Sequence, residues 1–382
     1  MNILFVTSNF PPMDGGIAVF DYHICRELCA RGHDVSVLTT RYHASEDFDS
    51  QQYFYTQRLS GKMRPTSVEA IYRILYLSVK QKIEVIFFGH FGSTHWLGGV
   101  LSKKFLKIPY IILVHGTEFN AYFHRFAWAD RYASKVVLKN ASTIIVNSQT
   151  TKKLVEVHDF STGRIHIVHP GADPANFKSD DSESGIVDKL GLKNKKVLLS
   201  ASRLVAKKNH KNVLKALPSV IKKIPNLVYL IIGKGEEEEK LIKLTRYLRL
   251  EKYVTFVGYV EPKDMPLYYN ICDVFAMPSK TVGIDYESFG IVYAEANACG
   301  KPVIGGKSGG VEDAVIDGVT GIIVDPDNIE EISQAIVRFL TDEGYAQKLG
   351  GNGRRRVEEE LNWGVVGKKI EGILKKTAVR GR

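Results

Sequence analysis

Short apolar runs alternate with helix-like segments along nearly the whole chain, and no other feature limits its fold as much. Ile3–Thr7, Asp34–Thr39, Glu84–Phe88, Tyr110–Val114, Thr143–Val146 and Ile165–Val168 read as strands. Between the first two, apolar residues at helical spacing predict a helix over Ile17–Arg31, with Gly32 where a helix end favours glycine. Strands separated by helical crossovers pair in parallel, so this half reads as a doubly wound α/β domain. A polar, loop-like stretch over Ser179–Gly185 then breaks the pattern. A second series follows: strands Val197–Ala201, Leu227–Ile232, Val254–Val257, Val274–Met277, Pro302–Ile304 and Gly321–Val324, with helices over Lys208–Lys222, Glu236–Leu248 and Phe289–Ala298. The expectation is two α/β domains joined near residues 170–190, with ligands at the carboxyl ends of both sheets, in a cleft that both face.

Several classes are excluded at once. Apolar runs such as Ile108–Val114 fall well short of the ~20 residues a membrane span needs. The N-terminus reads as a strand, not as a signal peptide. Cys25, Cys29, Cys272 and Cys299 form no CxxC pair and have no histidine at zinc-ligand spacing, so they read as reduced thiols.

The net charge of +10 is local. Residues 54–82 hold Arg58, Lys62, Arg64, Arg73, Lys80 and Lys82 against Glu69 alone, and residues 351–382 are similarly basic. From Ser67 to Lys80, Val68, Ile71, Tyr72, Leu75 and Val79 recur at helical spacing. Two readings stay open: a helix lying on an anionic membrane, or a helix packed on a sheet with a solvated basic face. No DNA- or RNA-binding module is recognisable, so nucleic acid is not an expected partner.

The chemistry concentrates late in the chain. Glu287 and Glu295 stand eight apart, and a helix from Phe289 puts Glu287 before its start and Glu295 two turns in. Backbone N–H groups of Phe289, Gly290 and Ile291 would then point out of a helix N-terminus, which favours phosphate. Gly290 permits close approach, and Glu295 could accept hydrogen bonds from two sugar hydroxyls. Asp47–Phe48–Asp49 is a D-x-D, but it reads as solvated loop. Gly233–Lys234–Gly235 follows a strand, yet Glu236–Glu239 would repel a phosphate, so it reads as a turn. Gly309 and Gly310 invite a phosphate-side reading.

The wider constellation carries a resemblance. Pro11–Gly16, Gly32–Val35, His115–Glu118, Pro170–Asp173, Ser202–Lys208, Met277–Ser279, Glu287–Val303, Gly309–Glu312 and Asp317–Gly321 occur in the order and at the separations of the retaining glycosyltransferases of family 4. The chain resembles that family over nearly its whole length. The resemblance implies the GT-B fold, two Rossmann-like domains with a last helix crossing back to the first. Residues 1–172 plus 364–382 would then bind the acceptor, 190–363 the nucleotide sugar, and 173–189 would link them.

The resemblance also implies roles. Arg203 and Lys208 would neutralise the donor diphosphate, with no metal required and no cofactor beyond the donor. Glu295 would bind the ribose, and Glu287 the transferred sugar. Ser288, Phe289, Gly290 and Ile291 would line the donor, with Ser288 where the family commonly has glycine. His115 would sit against the donor sugar, and Gly15–Gly16 would approach diphosphate and acceptor. His33 also recurs in the family but reads as structural. Asn209 stands where a glycine usually follows the lysine. The segment Met277–Glu295 looks most like the GDP-mannose-dependent branch that builds phosphatidylinositol mannosides. The expected activity is α-mannosyl transfer from GDP-mannose to a lipid-linked or glycan acceptor of the cell envelope. A UDP-sugar donor, a nucleotide-sugar 2-epimerase and a silent binding protein are the alternatives. The expected location is cytoplasmic, with peripheral docking on anionic lipid.

Overall fold

The computed structural model describes residues 1–60, 68–91, 96–125, 128–158, 162–177 and 184–381. The chain forms two compact units: Met1–Pro170 with Trp363–Arg382, and Gly171–Asn362.

The first unit is a seven-stranded parallel sheet. Its strands are β1 (Asn2–Val6), β2 (Asp34–Thr40), β3 (Tyr55–Leu59), β4 (Val85–Phe88), β5 (Tyr110–Val114), β6 (Thr143–Val146) and β7 (Ile165–Ile167), in the order β3-β2-β1-β4-β5-β6-β7. Both faces are covered, which is why its central strands are unbroken apolar runs. Ile3 and Phe5 of β1 pack with Phe20, Ile24 and Leu28 of helix Gly16–Ala30, while Leu4 and Val6 join Ala70, Ile74 and Leu77 of helix Val68–Lys80. β3 was not foreseen. It is an edge strand whose single fully buried residue is Leu59, so its polar alternation carries no core signal.

The last helix, Trp363–Gly381, packs on this sheet through Trp363, Val366, Ile370 and Leu374. His33 faces Glu371 at 3.2 Å, and Arg31 donates to the Gly364 carbonyl at 2.6 Å. His33 is therefore structural, as its turn suggested.

The second unit is a six-stranded parallel sheet: β8 (Lys196–Ala201), β9 (Leu227–Ile232), β10 (Val254–Gly258), β11 (Val274–Met277), β12 (Val303–Gly306) and β13 (Gly321–Val324), ordered β10-β9-β8-β11-β12-β13. Sequential strands run outward from the centre in both sheets. The order reverses between β1 and β4 in the first and between β8 and β11 in the second. Ligands of such sheets bind at these switch points.

Two sequence readings need correction. Asp47–Asp49 is helix end, not loop: it closes the helix Ser45–Asp49, with Asp47 exposed and Asp49 accepting from Nε and Nη2 of Arg58, each at 2.8 Å. The basic windows are not uniformly free surfaces: Lys80, Lys82, Lys368, Lys369 and Lys376 are exposed, but three of the arginines are tied down. The Arg58 side chain is buried and also donates to the Thr40 and Pro11 carbonyls. Arg354 donates to the Phe177, Pro174 and Ala298 carbonyls, and Arg356 to those of Ala314 and Asp313. The C-terminal window is moreover divided at Asn362, its first part belonging to the second unit. Lys62, Arg64 and most of the Ser179–Gly185 stretch lie outside the described residues.

Candidate active site

In the second unit, the sequence-predicted residues gather where the strand order reverses. β8 runs into Ser202–Arg203–Leu204, then a 3₁₀ turn over Ala206–Lys208 and helix His210–Lys223. Asn209 takes φ 61°, a left-handed conformation that asparagine tolerates better than most residues. Its side-chain amide donates to the carbonyls of Pro278 (3.0 Å) and Pro326 (2.7 Å). The residue that replaces the usual glycine thus ties together the loops after β8, β11 and β13.

Gly233–Lys234–Gly235 supports the same loop. A Cβ on Gly233 would lie 1.9 Å from the Ser202 carbonyl oxygen, and one on Gly235 2.3 Å from that of Leu204. Their role is close backbone packing beneath Arg203, in keeping with the turn reading.

Lys208 reaches across the switch point and pairs with Glu287 through a short Nζ–Oε2 contact. Both side chains are nearly buried. Burial alone would raise the Glu287 carboxyl, but Lys208, Lys207 and Arg203 outweigh it, and the group is held below the usual carboxylate range. Burial conversely lowers the Lys207 ammonium, which donates to the Tyr286 carbonyl at 3.1 Å. Arg203 is exposed. The Glu287 backbone is fixed too: Gly310 donates to its carbonyl at 2.7 Å, and a Cβ on Gly309 (φ 59°) would lie 2.2 Å from that oxygen. Gly309–Gly310 therefore holds Glu287 in place. Between Pro278 and Glu287, the inserted residues fold into a tight turn with reciprocal Val282–Asp285 backbone hydrogen bonds.

The following helix runs Ile291–Ala298, starting two residues later than predicted. Gly290 precedes it at φ 87°. No side chain caps this end and no acid lies in its first turn, so the site favours an anion. The Phe289 side chain is buried in the core, while Ser288 is half-buried. Four residues into the helix, Glu295 accepts a 2.7 Å hydrogen bond from Tyr269 at one oxygen. Among the described residues, its other oxygen has no hydrogen-bond partner in the protein. Burial raises the Glu295 carboxyl, against the lowering effect of Tyr269. Tyr269 was not predicted. It lies on the separate helix Met265–Ile271, and no local motif joins it to Glu295.

The first unit offers different chemistry. Gly15 (φ 135°) precedes helix Gly16–Ala30, whose start is again uncapped and free of acids in its first turn. Gly15 and Gly16 are both exposed. Across the switch point, His115 follows β5. It is buried, with Nε2 3.1 Å from the Gly89 carbonyl and the Phe20 ring edge-on at 5.6 Å. Burial pulls its pKa down to about 4, despite that hydrogen bond. The imidazole is neutral, and Nε2 carries the proton it donates to Gly89. Its Nδ1 lone pair and backbone carbonyl remain as electron-rich groups.

Next to it lies an unforeseen buried cluster. Thr7 Oγ1 is 2.7 Å from Asp21 Oδ2 and 3.2 Å from His90 Nδ1, and Ser8 Oγ is 3.1 Å from His90 Nε2. Burial raises Asp21 well above the usual carboxylate range, Thr7 opposing, and lowers His90 to about 3. With Tyr42 donating to the Ser8 carbonyl at 2.7 Å, these groups stake the chain that leads to Gly15–Gly16.

Residues 14–176 match the family described as Glycosyltransferase Family 4, and residues 184–356 match Glycosyl transferases group 1. A GDP-mannose-dependent alpha-(1-6)-phosphatidylinositol monomannoside mannosyltransferase of Mycolicibacterium smegmatis is 28% identical over 97% of this chain and 98% of its own. A D-inositol 3-phosphate glycosyltransferase of Corynebacterium diphtheriae is 27% identical, covering 94% of this chain and 89% of its own. Among solved structures, HepE of Anabaena in complex with UDP superposes with a TM-score of 0.84 at 21% identity, covering 98% of this chain and all of the other. Two parallel Rossmann-like sheets, each matched along its own half, make this chain a member of the family 4 glycosyltransferases with the GT-B fold.

Proposed function

We propose that the protein is a retaining, metal-independent hexosyltransferase that moves α-mannose from GDP-mannose onto a lipid-linked or glycan acceptor in cell-envelope synthesis. The observation that carries this reading is the Lys208–Glu287 pair at the switch point of the second sheet, with Arg203 and the uncapped helix Ile291–Ala298 alongside.

On this reading the diphosphate lies against Arg203, Lys208 and the helix start. Charge builds on the leaving phosphate as the sugar departs, so fixed cations stabilise the transition state more than the ground state. Glu287 stays ionised and accepts hydrogen bonds from the sugar hydroxyls. Glu295, held by Tyr269, accepts those of the ribose. His115, neutral and rich in lone pairs, favours positive charge at the anomeric carbon. The bond from the anomeric carbon to the phosphate oxygen breaks, and the acceptor oxygen bonds to that carbon on the same face. The acceptor proton passes to the departing phosphate oxygen, so no covalent enzyme intermediate forms.

The mannose assignment is supported by the phosphatidylinositol mannoside relatives. The reading puts the enzyme in the cytoplasm, which holds sugar nucleotides and whose reducing conditions suit four free cysteines. A donor screen tests it. Transfer or slow hydrolysis of GDP-mannose, undiminished by EDTA, is the expected result. Turnover of UDP-sugars alone would replace the donor, and a free epimerised sugar nucleotide made without acceptor would replace the reaction.

A further inference from the structure

We infer that the outer face of helix Val68–Lys80, with the segment Trp96–Leu106 packed beside it, is a docking surface for an anionic lipid bilayer. The helix carries two apolar stripes. Ala70, Ile74 and Leu77 form one, and it is buried against the sheet. Val68, Tyr72, Tyr76 and Val79 form the other, one turn apart in succession, and it faces solvent, with Val68 78% and Val79 64% exposed. A helix that serves a single core needs only the first. The stripe read from the sequence is thus largely the one the core does not use.

The patch extends beyond this helix. A Cβ on Gly98 would lie 2.9 Å from the Ile74 side chain, so Trp96–Leu101 rests directly on the helix. The continuation Ser102–Leu106 turns Phe105, 67% exposed, and Leu106 outward.

Charge identifies the occupant. The Lys80 ammonium lies 5.3 Å from the Tyr76 ring centre, the Lys104 ammonium 5.5 Å from that of Phe105, and the Arg73 guanidinium 6.0 Å from that of Tyr72. Lys82 and Lys107 are exposed at the ends of the two segments. Among the described residues of these segments, Glu69 is the only acid. Basic side chains over exposed aromatic rings suit a headgroup layer, where rings enter the interface and cations stay among phosphates. A second copy of the chain would bring like charges together. In the C-terminal basic window, Arg354 and Arg356 are spent on backbone carbonyls.

The inference stands apart from the donor assignment, since binding is read without turnover. Full-length protein is sedimented with vesicles of phosphatidylcholine alone or of phosphatidylcholine with about one-third phosphatidylglycerol. Binding to the second and not the first is expected, weakening with salt. Tyr72→Ser with Phe105→Ser should lower vesicle affinity at least about tenfold. Lys80→Glu with Lys104→Glu should lower it by about fivefold or more per charge. Both variants should keep the wild-type circular-dichroism spectrum and melting temperature, which shows they are folded. Failure of the wild type to bind anionic vesicles at low salt overturns the proposal, as does undiminished binding by either variant. Binding to polyglutamate but not to vesicles would reassign the face to an acidic protein. A dimer that the Tyr72→Ser, Phe105→Ser variant dissociates would reassign it to a second copy.

Discussion

The two sheets have the same topology around their switch points and opposite chemistry at them. In the second unit, the switch point holds three cations, Arg203, Lys207 and Lys208, about the ionised Glu287. In the first, burial keeps His115 and His90 neutral and raises the Asp21 carboxyl, while Glu118 accepts from the His115 backbone N–H at 2.5 Å. The shared feature is a glycine-led, uncapped helix start in each, after Gly15 and after Gly290. A Rossmann-like frame thus supplies an anion-favouring helix end twice, and side chains decide what each end serves. On the proposed function, fixed cations suit the diphosphate, and neutral, lone-pair-bearing groups suit a centre that becomes positive as the sugar leaves.

The largest expected effect falls on the charged half. Lys208→Ala or Arg203→Ala should slow sugar transfer by about 10²–10⁴-fold in steady-state assays. A wild-type rate in either would break the contrast between the units. Glu287→Gln should cost about as much, and a double-mutant cycle with Lys208→Ala should be strongly non-additive, since each single change strands a nearly buried charge.

His115 should matter less and differently. His115→Ala should cost about 10–10²-fold in kcat, the scale of one positioned polar group. Because the imidazole titrates near 4, its contribution to the pH–rate profile should be flat from pH 5.5 to 8. An inflection near 6.5 that His115→Asn removes would show a charged imidazole and erase the distinction drawn here. The smallest change is Tyr269→Phe, which should weaken nucleotide binding by about 3–10-fold and leave kcat near wild type, because it orients Glu295 without touching the reacting bond.

In both units, buried histidines make stability depend on pH. His90, His115 and His210 are held to about 3, 4 and 3 by burial. The unfolded chain takes up these protons near 6.5, whereas the folded one resists until far lower. Stability should therefore fall as pH drops from about 6.5 towards 4. Glu287 adds to this below its ordinary range, its depressed pKa giving stability above the unfolded value that is lost as pH falls through the folded one.

How much could be read in advance follows from how local each signal is. The gathering of Arg203, Lys208, Glu287 and Glu295 about the second switch point was legible because strand ends and glycine-marked turns place them within short motifs. Asn209 was legible as standing where a glycine usually follows the lysine, but its clamp on Pro278 and Pro326 was not, since those carbonyls come from distant loops. Tyr269 and the Thr7–Asp21–His90 cluster were hidden for the same reason. β3 escaped because an edge strand with one buried residue has no apolar alternation. Counting charges misled at Arg58, Arg354 and Arg356, whose partners are a carboxylate or carbonyl oxygens that composition cannot show. Helical spacing found the stripe on Val68–Lys80 but not the direction it faces, which depends on a second stripe that the sheet took instead.

The central claim is that the second unit holds the donor diphosphate through Lys208 and Arg203. Calorimetric titration of GDP into wild type, Lys208→Ala and Arg203→Ala tests it most directly. The account predicts a loss of about tenfold or more in affinity for each variant, at unchanged thermal stability of the first unit. Equal affinity for GDP in all three proteins would contradict it.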